Sequence, residues 1–205
     1  CIGLPKTATT SLHYSLIRLG FSSVHYPLDV YNHSSSLIAL KSCINQIYRR
    51  LIRVIGLKKI SFFKNKKFYI FSKVYSKSNE LILDLDFFRK YDAFSDLPMC
   101  HFYKEIDRNL SDDKIFICTV RDKKSWLQSC KKHYTRNPFD EYSIGAQLRF
   151  SFFGQHKFDE HIWSKKYDEF YNGVNEYFKT REKDILMINI TCGEGYEKLC
   201  PFLNK

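Results

Sequence analysis

No run of about 18 apolar residues occurs in this chain, so nothing in it reads as a membrane-spanning helix. There is no Cys-x-x-Cys pair, and the seven cysteines, an odd number, suggest neither a zinc site nor a disulfide framework. Most of them read as small buried hydrophobes in a reducing compartment. Cys192 and Cys200 are a candidate pair only for a secretory protein. Glycine and proline are sparse, at 8 and 5 of 205 residues, and no internal repeat or low-complexity tract is visible. The chain starts at Cys1 without a Met or a basic-then-apolar leader. Cys1-Ile2 reads as the tail of a strand, so the expectation is an N-terminal truncation. The expected compartment is cytoplasmic, or the Golgi lumen if an anchor has been removed.

Acidic residues are missing from one stretch in particular. Residues 41–77 hold eleven Lys and Arg and no Asp or Glu, while the remaining 22 basic residues match 22 acidic ones. The net charge of +11 therefore comes from one segment. A polyanionic partner, an acidic acceptor, an anionic membrane surface or a solvated insertion each fit it. Residues 37–77 are read as a basic insertion or cap within a single domain spanning 1–205. Peripheral membrane contact through 41–77 is one expectation, and no nucleic acid is expected as a partner. The sequence says nothing of oligomeric state.

What is present is a strand–helix alternation. Cys1–Leu4 reads as a strand end, and Pro5–Ala8 as a turn. Leu12, Leu16 and Leu19 mark a helix stopped by Gly20. Val24–Pro27 and Asp92–Phe94 read as short strands, and residues 34–55 as a helix. Ile115–Val120 and Ile185–Ile190 are continuous apolar runs suited to buried parallel strands. Helices are expected from about Lys123 to Tyr134, through Trp163, Tyr167, Phe170, Tyr171, Val174 and Phe178, and from about Tyr196 to Leu203. The fold class is α/β: three layers, with a mostly parallel central sheet flanked by helices. Ligands in such sheets bind beyond the strands' carboxyl ends. The loops at Pro5–Thr10 and after Arg121 are the first places to look.

Gly3-Leu4-Pro5-Lys6-Thr7-Ala8-Thr9-Thr10-Ser11 joins a strand to a helix N-terminus. Free N–H groups and the helix dipole there favour an anion, the hydroxyls add donors and Lys6 adds a point charge. Against the pattern G-x-x-x-x-G-K-[ST], Gly3 and Thr10 fall in register. Ala8 replaces the second Gly, however, and Thr9 replaces the Lys. An ordinary ATPase or GTPase is therefore disfavoured.

The segment Pro5-Lys6-Thr7-Ala8-Thr9-Thr10-Ser11 resembles the 5′-phosphosulfate loop of the sulfotransferases that use 3′-phosphoadenosine 5′-phosphosulfate (PAPS). That loop usually reads Pro-Lys-[Ser/Thr]-Gly-Thr-Thr, and Ala8 departs from it. The family's second element is an Arg ending a strand with a Ser eight residues later, and Arg121 and Ser129 match it. Arg121 taken alone reads equally as an ion-pair partner of Asp122 or Glu105. The ending from Gly193 to Leu203 is similar to that of one branch of the superfamily, and reads also as a helix closing the core.

The resemblance implies a P-loop NTPase-like sulfotransferase fold. It implies sulfuryl transfer from PAPS, without a metal, to a small-molecule, carbohydrate or lipid acceptor, leaving adenosine 3′,5′-bisphosphate. Pro5, Lys6, Thr7, Ala8, Thr9, Thr10, Ser11, Arg121 and Ser129 would bind the nucleotide, and Lys6 would stabilise charge on the leaving phosphate. Asp96-Leu97-Pro98 is similar to the family's His-Leu-Pro element, which makes Asp96 the candidate general base. Asp96 reads equally as the cap of the helix near Pro98. His101, Glu105 and His13 are reserve candidates. His156 and His161, five residues apart, do not suggest a metal pair. The alternatives are a P-loop-type nucleotide kinase and a non-catalytic anion-binding module.

Overall fold

The structure is a computed structural model, and it describes residues 1–27, 85–110, 114–136 and 144–205. These belong to one of the two units into which the chain divides, Cys1–Val30 with Leu85–Lys205. The expected helix over 34–55 and the basic segment 37–77 lie outside the described residues.

Six α-helices and four strands occur among the described residues. In chain order they are α1 (Thr9–Arg18), β1 (Ser23–His25), β2 (Ala93–Ser95), α2 (Met99–Asn109), β3 (Phe116–Thr119), α3 (Lys123–Arg136), α4 (Ile144–Phe153), α5 (Glu160–Phe178), β4 (Ile185–Ile188) and α6 (Tyr196–Phe202). A short 3-10 turn at Leu85–Lys90 precedes β2. The chain is α/β, with β1 parallel to β2 and β3 parallel to β4.

Cys1–Leu4, expected to be a strand, is instead an extended segment between the two pairs. The Cys1 amine donates to the Phe94 carbonyl, and the Ile2 N–H donates to Ile117 O at 2.9 Å. One bond to each side is too few to make a strand of it, but both pairs are tied to it. Its fit is tight. A Cβ added at Gly3 would lie 1.8 Å from Thr119 Oγ1 and 2.7 Å from Thr119 O, so only glycine allows this approach to β3.

Alternate residues of β3 face opposite ways, as a strand's period of two requires. Ile117 packs with Ile188, with Leu12 and Leu16 of α1 and with Leu199 of α6. Phe116 meets Phe178 of α5, ring centroids 5.0 Å apart. Helices therefore cover both faces of the β3–β4 pair, which is why these strands are apolar without alternation. β4 stops at Ile188 rather than Ile190, because Ile190–Cys192 turns into a 3-10 helix.

The helices follow from their sequences. α1 buries Leu12 and Leu16 and ends where Gly20 takes φ 91°. Asp159 caps α5, its carboxylate accepting from Ile162 N at 3.0 Å. The apolar face of α5 is Trp163, Phe170, Tyr171, Val174 and Phe178. α4 has no counterpart in the sequence reading. No helix among the described residues is long and apolar enough to cross a membrane. Cys192 and Cys200 are free thiols.

Candidate active site

The turn before α1 is held from below. Thr7 is fully buried, and its hydroxyl lies 2.6 Å from both Leu4 O and Thr119 Oγ1. Lys6 and Ala8 take φ 71° and 70°, in the left-handed region. Ala8 occupies the N-cap position of α1 and makes no side-chain cap bond. The first N–H groups of a helix have no acceptor within it. Here no side chain caps them, and the N-terminal dipole adds positive potential.

The second loop docks onto the same turn. Arg121 Nη1 donates to Lys6 O at 3.2 Å, and its Nε donates to Ser125 Oγ at 2.7 Å. Trp126 Nε1 donates to Pro5 O at 2.8 Å. The backbone behind Arg121 is pinned as well. Tyr171 OH donates to Thr119 O at 3.0 Å, Tyr167 OH donates to Arg121 O, and Asp122 caps α3 through Ser125 N at 2.8 Å. Arg121 Nη2 has no protein acceptor among the described residues, so the outer edge of the guanidinium remains available to an anion.

A cleft of about 510 Å³ lies where these parts meet. Pro5, Lys6, Ala8, Thr9, Thr10, Asp96, Arg121 and Ser129 line it, so eight of the expected site residues share one cleft. Two do not. Thr7 is turned into the core, where it braces the turn, and Ser11 is exposed beyond the lining. Thr7 and Ser11 were both expected as nucleotide donors; the positive φ values at Lys6 and Ala8 swing Thr7 inward.

Asp96 follows β2 at φ 72°. Its Oδ1 accepts from Leu97 N at 2.7 Å, and its Oδ2 accepts from the Thr9 hydroxyl at 2.9 Å. The helix-cap alternative for Asp96 does not match the structure: Pro98 holds the N-cap position of α2. The reserve bases lie off the cleft lining. His13 bonds Ser23 Oγ at 2.8 Å, and its pKa is lowered by burial and then by His25. His101 packs against Phe102 and Phe152, and burial lowers its pKa. Glu105 is exposed one turn further along α2.

The cleft also contains residues that the sequence reading passed over: His25, Tyr26, His133, Tyr134, Arg149 and Thr191. Arg149 is 7% exposed, with its guanidinium carbon 5.3 Å from the centre of the Tyr134 ring. Burial lowers its pKa from the ordinary arginine value. His133 is also shifted down, by burial first and then by the Lys6 and Arg149 charges. Burial raises Tyr26 and Tyr134. His25 and Tyr26 sit at the carboxyl end of β1, the position where α/β sheets hold ligands. That rule was the available signal for them. For Arg149 the signal was an arginine within an apolar run.

A larger hollow, about 710 Å³, lies between α5 and β4. Its Lys179 pairs with Glu176 at 2.6 Å, and no α-helix begins among its lining residues. The smaller cleft has the chemistry. No group of three or more His, Cys, Asp or Glu among the described residues is placed to hold a metal ion.

Uncapped amides and several cations thus stand around one carboxylate in the smaller cleft. The family is shown by comparison: the model for the sulfotransferase domain matches residues 1–205, and the chain belongs to that family. Membership supports a transferase and sulfuryl transfer as its general chemistry. No curated protein matches the chain.

Proposed function

We propose that this chain transfers a sulfuryl group from PAPS to a hydroxyl or amine on a small-molecule, carbohydrate or lipid acceptor. Its frame would be a three-layer, P-loop-like α/β fold, a reading supported by Cys1–Leu4, which bonds to both parallel pairs. The observation that carries the reading is the docking of Arg121 onto the Lys6 carbonyl, with Ser129 lining the same cleft. Residues about 115 apart in sequence thereby form one anion site.

The donor set fits a doubly phosphorylated nucleotide. The amides that open α1, with the Thr10 hydroxyl and Lys6, form one group of donors, and Arg121 with Ser129 forms a second. When bound, PAPS supplies the activated sulfuryl group. Lys6 stabilises charge on the oxygen from which that group departs, as preorganised cations do in phosphoryl transfer. Asp96 accepts the proton of the acceptor hydroxyl, with Leu97 N–H holding its other oxygen. Arg149 adds positive potential to the cleft wall.

Calorimetry with adenosine 3′,5′-bisphosphate, with ADP as control, tests the reading. Preference for the bisphosphate is expected. Preference for ADP would favour a nucleotide kinase, and binding of neither would favour an anion-binding module. Asp96→Asn should abolish transfer of labelled sulfuryl groups while leaving bisphosphate binding intact. Activity near wild type would remove Asp96 as the base.

A further inference from the structure

One ring nitrogen has three polar neighbours drawn from two other parts of the fold. His25 ends β1, and its Nε2 lies 3.3 Å from Asp96 Oδ2, 3.3 Å from Thr9 Oγ1 and 3.1 Å from Thr10 Oγ1. Thr9 and Thr10 open α1, and Asp96 follows β2. The strand register is responsible for the meeting: His25 pairs with Ser95, the residue before Asp96. His25 and Asp96 are mostly buried, their side chains 23% and 14% exposed.

The chemistry of the neighbours assigns the hydrogen. The Thr9 hydroxyl donates its single proton to Asp96 Oδ2 at 2.9 Å, so toward His25 the Thr9 oxygen can only accept. A carboxylate oxygen likewise only accepts. Two of the three neighbours of Nε2 are therefore acceptors, and a bare Nε2 would turn its lone pair onto Asp96 Oδ2. With a hydrogen on Nε2 the contact becomes favourable. Asp96 is then held by three donors: Leu97 N–H from its own loop, the Thr9 hydroxyl from the turn and His25 from β1.

We propose that His25, through a protonated Nε2, is the positioning residue for Asp96 and ties that carboxylate to the Thr9–Thr10 end of the anion-binding turn. Its catalytic consequence rests on the reading of Asp96 as the base. A base oriented by a further group is the usual logic of activated acceptors. In this role His25 orients the carboxylate from the cleft wall and takes no part in proton or sulfuryl transfer. His13 of α1, 5.7 Å away between ring centres, faces the same ring and bonds Ser23 instead.

The test is a long-range ¹H–¹⁵N correlation spectrum of the histidine rings in the full chain, with and without adenosine 3′,5′-bisphosphate. The expected result is an Nε2 of the protonated type for His25 in both samples. In Asp96→Ala the ring should relax to a mixture of tautomers, because the acceptor that selects one has gone. A bare Nε2 in the wild type overturns the proposal without any variant, so the test does not depend on Asp96→Ala folding. A tautomer balance indifferent to Asp96→Ala overturns it too. The two readings fail separately. A protonated Nε2 beside a fully active Asp96→Asn keeps the hydrogen bond and removes the base. A bare Nε2 beside an inactive Asp96→Asn keeps the base and removes His25.

Discussion

The turn from Pro5 to Thr10 and the arm from Arg121 to Ser129 face the same cleft, but the turn offers backbone and the arm offers side chains. In the turn, carbonyls are consumed by the surroundings: Pro5 O by Trp126, Lys6 O by Arg121 and Leu4 O by Thr7. The Thr7 N–H is used as well, on Leu4 O, but those of Ala8, Thr9 and Thr10 have no protein acceptor among the described residues. In the arm, the carbonyl of Arg121 is held by Tyr167 and the helix is capped by Asp122. That leaves the guanidinium and the Ser129 hydroxyl for the ligand. The two halves should therefore break differently. Changes beneath the turn should cost folding, and changes in the arm should cost binding.

Gly3→Ala is the largest expected effect. The new Cβ would meet Thr119 Oγ1 at 1.8 Å and the Thr119 backbone at 2.7 and 2.8 Å. The backbone O and N of Thr119 cannot step aside as a flexible side-chain end would. Overpacking of this kind costs about 3 kcal/mol or more. Urea unfolding measures it, and wild-type stability would mean that the segment before the turn is not seated against β3.

Lys6→Ala comes next, because it removes charge from the turn without moving the frame. Loss of one preorganised donor to developing charge costs about 100- to 1,000-fold in turnover. Bisphosphate affinity, measured by calorimetry, should change by far less. Unchanged turnover would take Lys6 out of the mechanism and leave the turn a purely backbone device.

Arg121→Ala tests the arm. A hydrogen bond to a charged group is worth about 1.5–3 kcal/mol, so bisphosphate binding should weaken roughly 10- to 150-fold. Arg121→Lys should recover only part, since a lysine lacks the planar fork that reaches Lys6 O and Ser125 at once. ADP has no 3′-phosphate, so a matching loss for ADP would assign Arg121 to bracing the turn rather than to holding the ligand.

The sequence made the frame of this site readable because its signals are local. IFICTV is apolar except for Thr119, and β3 lies within it. The apolar spacing of Trp163 to Phe178 became α5, and Arg121 and Ser129 line the cleft at the spacing read from the chain. What escaped depends on distant parts of the chain. α4 carries apolar residues on most of its surface, so no 3.6-residue stripe marks it, and Arg149 was missed with it. His25 acquires meaning only when the register of β1 and β2 sets it beside Asp96. Thr7 stands in a row of hydroxyls and differs from Thr9 only through the positive φ values on either side of it.

The smallest expected effect is also the sharpest check of the backbone reading. Ala8 stands at φ 70° and ψ 29°, where an L-residue crowds its own carbonyl and glycine does not. Ala8→Gly relieves that crowding but adds freedom to the unfolded chain. The net gain should be about 0.5–1 kcal/mol in urea unfolding. The N–H groups of Ala8, Thr9 and Thr10 already lack protein acceptors among the described residues, so bisphosphate affinity should stay within roughly twofold, an energy difference of less than about 0.5 kcal/mol. A variant less stable than wild type would mean that Ala8 does not hold the left-handed conformation in solution. The turn would then owe its anion affinity to Lys6 and the hydroxyls rather than to its amides.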